Sequence, residues 1–314
     1  MATELIEIRD KQIRIERFSE KLISDFIQLF KTSFGKSISR EFLELKYKTE
    51  KLGGKYVGYM AFHEEKAIAY YGVLPVPFIL NGNQITAVQS ADTMTHPDYR
   101  RHGLFPLLAK KTYDLAKKEG ASFVFGWPNQ NSYPSFKKKL GWIDLGNMVR
   151  FTREVSTFPL AKLSVKLPVF RGIFLWLFRK VANVTIMDFP HGKENNIVPR
   201  NRNYLGYKES LGAFQIHTKF GTIIASLDYR LKIGDISNIE TNDFPALLLE
   251  LQRICRICGI GEIQIIVGPT SKIANDLTAA GLDKSEDLPL MYWPFVEEIQ
   301  IDNLKLTGLD YDGF

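Results

Sequence analysis

The spacing of hydrophobic and polar positions changes several times along the chain, and each change predicts a new element. Residues 19–50 carry apolar side chains at helical spacing. Three shorter runs, which begin at Lys55, Lys66 and Gln84, are rich in β-branched and aromatic residues and predict strands. Residues 103–119 return to helical spacing and end at Gly120. The first half is therefore predicted to combine helices with a meander of strands.

The second half of the sequence repeats this order. A helical pattern over 243–258 leads to a hydrophobic strand and then to a second helix. Gly120 and Gly141 bound a strand and a helix in the first half, as Gly261 and Gly281 do in the second. Similarity at this scale predicts a duplicated domain. We expect a first domain over 1–153, a linker over 154–200 and a second domain over 201–314.

Composition and charge narrow the function classes. The net charge of +6 and the pI near 9.1 favour an anionic ligand. The basic residues are scattered, which predicts no nucleic-acid partner. Cys255 and Cys258 share one face of a predicted helix and have no further ligands nearby, so we expect two core thiols and no metal site. Few cysteines and no signal-peptide pattern predict a cytoplasmic protein.

The most apolar stretch of the chain is 167–178, and Arg171 interrupts it. It is too short to span a bilayer, so we expect no stable membrane insertion. Two interpretations stay open. A buried connector between the domains is the simpler one, and a cationic amphipathic membrane contact is the other.

The stretch "HPDYRRHGLF", residues 96–105, lies where a predicted strand turns into a predicted helix. The first N–H groups of a helix are unpaired and carry the positive end of its dipole. Gly103 allows close approach of a ligand to the backbone, while Arg100 and Arg101 supply positive charge. The turn is therefore a candidate phosphate site. An exposed basic turn that caps a core helix is the alternative.

The same turn resembles motif A of the GNAT superfamily of N-acetyltransferases. The downstream "FVFGWPNQNSYPSFKKKLGW" is similar to motif B: a strand, a turn containing Asn, a short helix and Leu-Gly-aromatic. The resemblance covers residues 1–153. The second half looks like a degenerate GNAT-like domain, as in double-domain members. The resemblance implies a fold of the α/β class (α+β with a mixed sheet). It also implies two GNAT-like domains in tandem, of which the second is degenerate.

The resemblance also implies acetyl-CoA as cosubstrate and assigns its binding residues. Arg100 takes the first position of motif A, and Phe105 takes the sixth, where the family has Gly or Ala. Backbone groups of Met94 and Thr95 are expected to bind the pantetheine arm and polarise the thioester. Asn131 in motif B is a further candidate. The pyrophosphate is expected on the backbone amides of Arg101, His102, Gly103, Leu104 and Phe105.

Amine acetylation through a tetrahedral intermediate calls for a base and an acid. Asp92 is the candidate base, because it interrupts a strand of apolar and small residues. The family's acidic Tyr corresponds in position to Lys137 here, and Tyr133 lies one helical turn earlier. Asp92, Tyr133 and Lys137 are therefore the catalytic candidates.

These residues predict a transferase that acetylates a primary amine of a small molecule by direct transfer from acetyl-CoA. Phe105 and the missing motif B tyrosine favour the first alternative, a non-catalytic acyl-CoA-binding or regulatory module. The second alternative is an aminoacyl transferase of the peptidoglycan-bridge type, against which Arg100 and Gly103 argue. The sequence leaves the oligomeric state open.

Overall fold

The computed structural model describes residues 3–189, 195–237, 239–296, 299, 301 and 303–313. It divides into two compact units, Met1–Leu145 with Pro289–Asp302 and Gly146–Leu288 with Asn303–Phe314. The elements of the first half are, in chain order, β1 (Glu4–Ile8), β2 (Lys11–Arg17), α1 (Ile23–Phe34), α2 (Arg40–Lys46), β3 (Val57–His63), β4 (Lys66–Leu80), β5 (Asn83–Thr95), α3 (Leu104–Lys118), β6 (Ala121–Gly126), α4 (Tyr133–Leu140) and β7 (Ile143–Glu154).

The second half continues the alternation of helices and strands. Its elements are α5 (Leu160–Lys166), α6 (Pro168–Val181), β8 (Val184–Thr185), α7 (Arg202–Ser210), β9 (Phe214–His217), β10 (Thr222–Leu227), β11 (Leu231–Ser237), α8 (Phe244–Cys258), β12 (Glu262–Val267), α9 (Ala274–Ala279) and β13 (Asp283–Pro294).

The first unit is a mixed sheet with helices on both faces. Its strand order is β1-β2-β3-β4-β5-β6-β13, antiparallel except for the parallel pair of β5 and β6. Side chains alternate between the faces of a strand. Tyr70 and Tyr71 accordingly belong to different hydrophobic clusters, one with α1 and α2 and the other with α3 and α4. The predicted α/β mixed sheet is confirmed.

Helix α3 connects the two parallel strands of this sheet. Its buried side chains recur at helical spacing and include Leu104, Leu108, Tyr113 and Ala116. A parallel pair needs such a crossover because the chain must return to the end of the sheet at which the first strand began. The N-terminus of α3 is thereby placed beside the end of β5.

The second unit has the same order of elements. Its strands follow the order β7-β12-β11-β10-β9-β8, and α8 connects the parallel pair β11 and β12. Three antiparallel strands, a crossover helix, a parallel strand, a short helix and a long strand thus occur in each half, as duplication predicts. Cys255 and Cys258 are both buried in α8, which confirms two core thiols.

Each unit is completed by a strand from the other half of the sequence. Residues 149–154 of β7 pair with β12 in the second unit, and residues 291–294 of β13 pair with β6 in the first. Met291 is fully buried in the first unit, where the Trp293 ring stacks on Tyr113 at 5.3 Å between centroids. The sequence predicted two contiguous domains, whereas each compact unit contains a segment from the other half.

The predicted linker over 154–200 contains α5, α6 and β8, while residues 190–194 lie outside the described part. Phe174 and Phe178 of α6 pack into the core of the second unit, but Val169 and Trp176 on the same helix are exposed. The interpretation of 167–178 as a buried connector is therefore wrong for one face of this helix. Within the described residues, no helix is long and apolar enough to cross a membrane.

Candidate active site

Strands β5 and β6 separate before β5 ends. They pair in parallel from Thr86 opposite Ala121 to Gln89 opposite Phe125, and β6 ends at Gly126. β5 stays paired with β4 as far as Thr95, across a bulge at the level of Tyr70 to Gly72. Beyond Gln89, one edge of β5 therefore lacks β6 as its neighbour.

The backbone hydrogen bonds of His96, the residue that follows β5, show which backbone groups of β5 lie on the edge without β6. The N–H of His96 donates to the carbonyl of Ile68 at 2.8 Å, on the β4 side. Backbone groups of successive strand residues point to opposite edges. Those of Thr95 therefore point away from β4, and Arg100 Nε donates to its carbonyl at 3.4 Å. Of the two predicted backbone contacts, Thr95 is placed on the open edge and Met94 on the paired one.

A cavity of about 640 Å³ lies where this edge meets the N-terminus of α3. Among its described lining residues, three side chains are cationic and none is a carboxylate. The cavity is therefore suited to an anionic ligand. It is lined by Ser33, Phe34, Thr93, Met94, Thr95, Tyr99, Arg100, Arg101, Gly103, Leu104, Phe105, Pro106, Asn129, Asn131, Ser132, Ser135 and Lys139.

Nearly all of the predicted cofactor-binding residues line this cavity; His102 does not. The His102 ring instead packs edge-to-face with Tyr99 at 5.9 Å between centroids. His96, also in this turn, is buried, and burial together with the Lys66 charge lowers the pKa of its imidazole. Desolvation and the charges of Arg9 and Lys11 lower the pKa of His102 as well, so neither imidazole is expected to add positive charge near neutral pH.

The turn into α3 presents its backbone to the cavity. Gly103 is the N-cap residue and has a φ of 79°. A Cβ built on it would meet no atom within 4 Å, so the space beside this backbone is open. Leu104 and Phe105 occupy the first positions of α3, where the N–H groups have no partner in the helix. These groups point positive charge at the cavity.

Phe105 stands where the GNAT pattern has Gly or Ala. Its ring packs against Tyr71 at 5.7 Å and against Phe136 at 5.1 Å between centroids. Its side chain therefore contributes to the core beneath α3. The backbone N–H of Phe105 stays at the helix N-terminus despite the large side chain.

The loop after β6 and one face of α4 form a further part of the cavity wall. Asn129 Oδ1 accepts bonds from the backbone N–H groups of Asn131 at 2.9 Å and Ser132 at 3.1 Å, which fixes the turn into α4. Ser132, Ser135 and Lys139 are spaced by three and four residues and share one helix face. This face was not predicted from the sequence, although the helical spacing of its three residues is visible there.

Asp92 is held in a buried polar network. Its carboxylate lies 2.8 Å from Lys46 Nζ and accepts a bond from the Tyr47 hydroxyl at 3.0 Å. Tyr70 in turn donates to the Tyr47 hydroxyl at 2.9 Å. Burial raises the pKa of Tyr47, and the Asp92 charge raises it further. Asp92 is not among the described lining residues of the cavity, and its φ of 49° places it at the bulge of β5.

Tyr133 and Lys137 converge on Asp144 rather than on the cavity. The Tyr133 hydroxyl donates to Asp144 Oδ2 at 3.2 Å, and Lys137 forms an ion pair with the same oxygen. The hydrogen bond to Asp144 raises the pKa of the Lys137 ammonium. The structure therefore separates the three predicted catalytic side chains from the predicted binding residues, since none of the three lines the cavity in the described part of the chain.

Comparison with known protein families identifies the domain that carries this cavity. The family of the acetyltransferase (GNAT) domain matches residues 14–143. The matched segment lies within the first unit and spans less than half of the chain, so the likeness to this family belongs to that segment. No curated protein matches the chain.

Several solved structures share the fold over most of the chain. A GCN5-related N-acetyltransferase from Kribbella flavida is 13% identical, with a TM-score of 0.57 over 90% of this chain and 72% of that one. One from Anabaena variabilis is 14% identical, with a TM-score of 0.54 over 89% and 72%. A tandem GNAT protein from the clavulanic acid biosynthesis pathway is 9% identical, with a TM-score of 0.54 over 90% and 98%. The two-unit fold of this chain is thus similar to that of a tandem GNAT protein.

Proposed function

We propose that this protein transfers the acetyl group of acetyl-CoA to a primary amine of a small molecule. The observation that carries the proposal is the cavity at the N-terminus of α3. It combines the backbone turn at Gly103 with Arg100, Arg101 and Lys139, and no carboxylate is found among its described lining residues. A pyrophosphate with an attached arm is the ligand class that fits this combination.

The residues of the cavity divide the binding work between them. The N–H groups from Arg101 to Phe105 are proposed to hold the pyrophosphate, and the three cations neutralise its charge. Thr95 presents its backbone on the open edge of β5, which suits hydrogen bonding to an extended amide-containing arm. Bound acetyl-CoA would supply the acetyl thioester at the far end of that arm. Asn131 and the Ser132 face of α4 would bound a further part of the cavity.

Asp92 has a positioning role in this proposal. Its contacts with Lys46 and Tyr47 hold the bulge of β5, and the bulge sets the direction of Thr93 and Thr95. A proton leaving the amine would have to reach a base through the cavity. Tyr99 and Ser132 line the cavity, and their hydroxyls are proposed to begin such a path. Tyr99 is bonded to His63 Nδ1 at 2.7 Å, which connects the path to an imidazole.

Two measurements on the full chain test the proposal. Isothermal titration with acetyl-CoA should give saturable binding that weakens as salt is raised, because the contacts are ionic. Thiol release from acetyl-CoA should then rise above background in the presence of at least one member of a panel of primary amines. Binding without thiol release from any amine would favour the non-catalytic acyl-CoA-binding module. Absence of binding would reject both the acetyltransferase hypothesis and the hypothesis of a non-catalytic acyl-CoA-binding module.

A further inference from the structure

Helices α5 and α6 expose more large apolar side chains than any other described segment of the chain. Val169 is 87% exposed, Ile173 is 61% exposed and Trp176 is 60% exposed. Contiguous apolar patches on a folded protein mark interaction sites, since single exposed residues need no partner but a patch does. We call this patch the α5–α6 surface; its residues are Leu160, Leu163, Val165, Leu167, Val169, Phe170, Ile173, Trp176 and Leu177.

Helix α6 has one apolar face packed in the core and other apolar residues that are exposed. Phe174 and Phe178 lie one turn apart and pack into the core of the second unit. Val169, Ile173 and Leu177 recur every fourth residue along a second stripe of the helix, and all three side chains are exposed. The core therefore explains one apolar stripe of this helix and leaves the other unexplained.

Arg171 holds α5 and α6 as one surface. Its guanidinium donates to Ser164 Oγ on α5 at 3.1 Å and to the carbonyls of Leu227 at 2.6 Å and Asp228 at 2.9 Å. The charged residue that interrupts the apolar run is thus turned toward the protein. These hydrogen bonds fix the position of α5 and α6, and with it the position of their exposed apolar side chains.

The charge around the patch selects its partner. Lys162, Lys166, Arg179 and Lys180 are exposed beside it, and residues 155–187 contain no Asp or Glu. Two copies packed through this surface would bring these cations together without a carboxylate in the segment to pair them. A partner with an anionic surface and an apolar interior would pair with the cations and also cover the apolar side chains. Long cationic side chains at the edge can extend to headgroups while their methylenes cover apolar surface.

We propose that the α5–α6 surface binds a membrane that contains anionic lipids, with both helices lying in the interfacial layer. Val169, Ile173 and Leu177 would enter the layer, and Lys180 and its cationic neighbours would contact headgroups. Trp176 suits the boundary between the apolar layer and water. This interaction is independent of acetyl transfer, since neither helix contributes to the cavity described above.

Vesicle sedimentation with the full chain tests the proposal without an activity readout. The protein should sediment with vesicles that contain phosphatidylglycerol and stay in solution with phosphatidylcholine alone. Ile173→Glu/Leu177→Glu should reduce partition by about tenfold or more, because it places charges on the inserted face. Leu249→Glu/Ile257→Glu is the matched control, since these residues are equally exposed apolar positions on α8. It should partition like the wild type.

A second pair of variants separates charge from apolar insertion. Arg179→Glu/Lys180→Glu should weaken partition by about tenfold, while Lys117→Glu/Lys118→Glu, on α3, should leave it unchanged. Trp176 emission should shift to the blue on phosphatidylglycerol vesicles, measured against Trp176→Phe. Thermal unfolding establishes that each variant is folded.

Failure of the wild type to bind phosphatidylglycerol vesicles would overturn the proposal. Equal loss of partition in the α5–α6 variants and in their controls would also overturn it. So would a dimer in sedimentation equilibrium that Ile173→Glu/Leu177→Glu dissociates, because the surface would then be an interface between copies.

Discussion

Lys46 and Asp92 form an ion pair with 2.8 Å between Nζ and Oδ2, and their side chains are only 6% and 11% exposed. The pair joins α2 to the bulge of β5. A carboxylate in this setting is a structural partner of a buried ammonium group, so we propose that the candidate base inferred from the sequence acts by holding the geometry of β5.

Removing one member of this pair should destabilise the protein. Asp92→Asn removes the charge of one buried partner of Lys46, which costs about 3 kcal/mol of unfolding free energy. Urea denaturation measures the loss. Lys46→Met/Asp92→Asn should recover part of it. Glu44→Gln breaks an exposed ion pair with Arg40 on the same helix and should cost less than about 1 kcal/mol. Additive losses in the double variant would contradict a coupled pair.

Adjacent lysines on α4 should differ in their effect on acetyl-CoA. Lys139 lines the cavity, and Lys138 beside it does not line it in the described structure, although both are exposed. Lys139→Glu should weaken acetyl-CoA binding by about tenfold at low salt, since it reverses a charge beside the bound phosphates. Lys138→Glu should change the affinity far less. Isothermal titration compares the two, and equal effects would show that only net charge matters.

The exchanged strand should be required for the stability of the first unit. Met291 is fully buried there, far in sequence from the strands it packs against. Met291→Ala should lower the unfolding free energy by about 2–5 kcal/mol because it leaves a cavity in the core. Val296→Ala is the control, since Val296 is 36% exposed. Chemical denaturation measures both. A negligible cost at Met291 would show that β13 is dispensable to this core.

Local patterns predicted part of this structure well. The apolar stripe of α3, the turn at Gly103 and the order of elements in both halves follow from spacing that a single sequence displays. The exchange of β7 and β13 could not be predicted, because strand periodicity shows which face is buried but not which strand is the partner. The exposed stripe of α6 could not be predicted for a similar reason, since a helix with apolar residues on every side has the pattern of a buried element.

The sequence predicted the backbone turn of the candidate site better than the surroundings of the catalytic candidates. The backbone amides of the turn are placed by one local junction, so their position follows from the sequence around Gly103. Catalytic candidates depend on tertiary neighbours. Lys46 and Asp144, which pair with Asp92 and Lys137, lie outside the motifs and could not be assigned as partners from spacing.

The comparison of Gly103→Ala with Gly120→Ala tests the central claim most directly. Both glycines flank α3, with φ of 79° and 90°, and a Cβ on either would meet no atom within 4 Å. Each substitution should therefore cost a similar 1–2 kcal/mol or so of stability, about the penalty of a positive φ. We expect isothermal titration to show wild-type acetyl-CoA affinity in Gly120→Ala and at least about tenfold weaker binding in Gly103→Ala, where the new methyl group projects into the proposed pyrophosphate site. Wild-type affinity in Gly103→Ala would contradict the account.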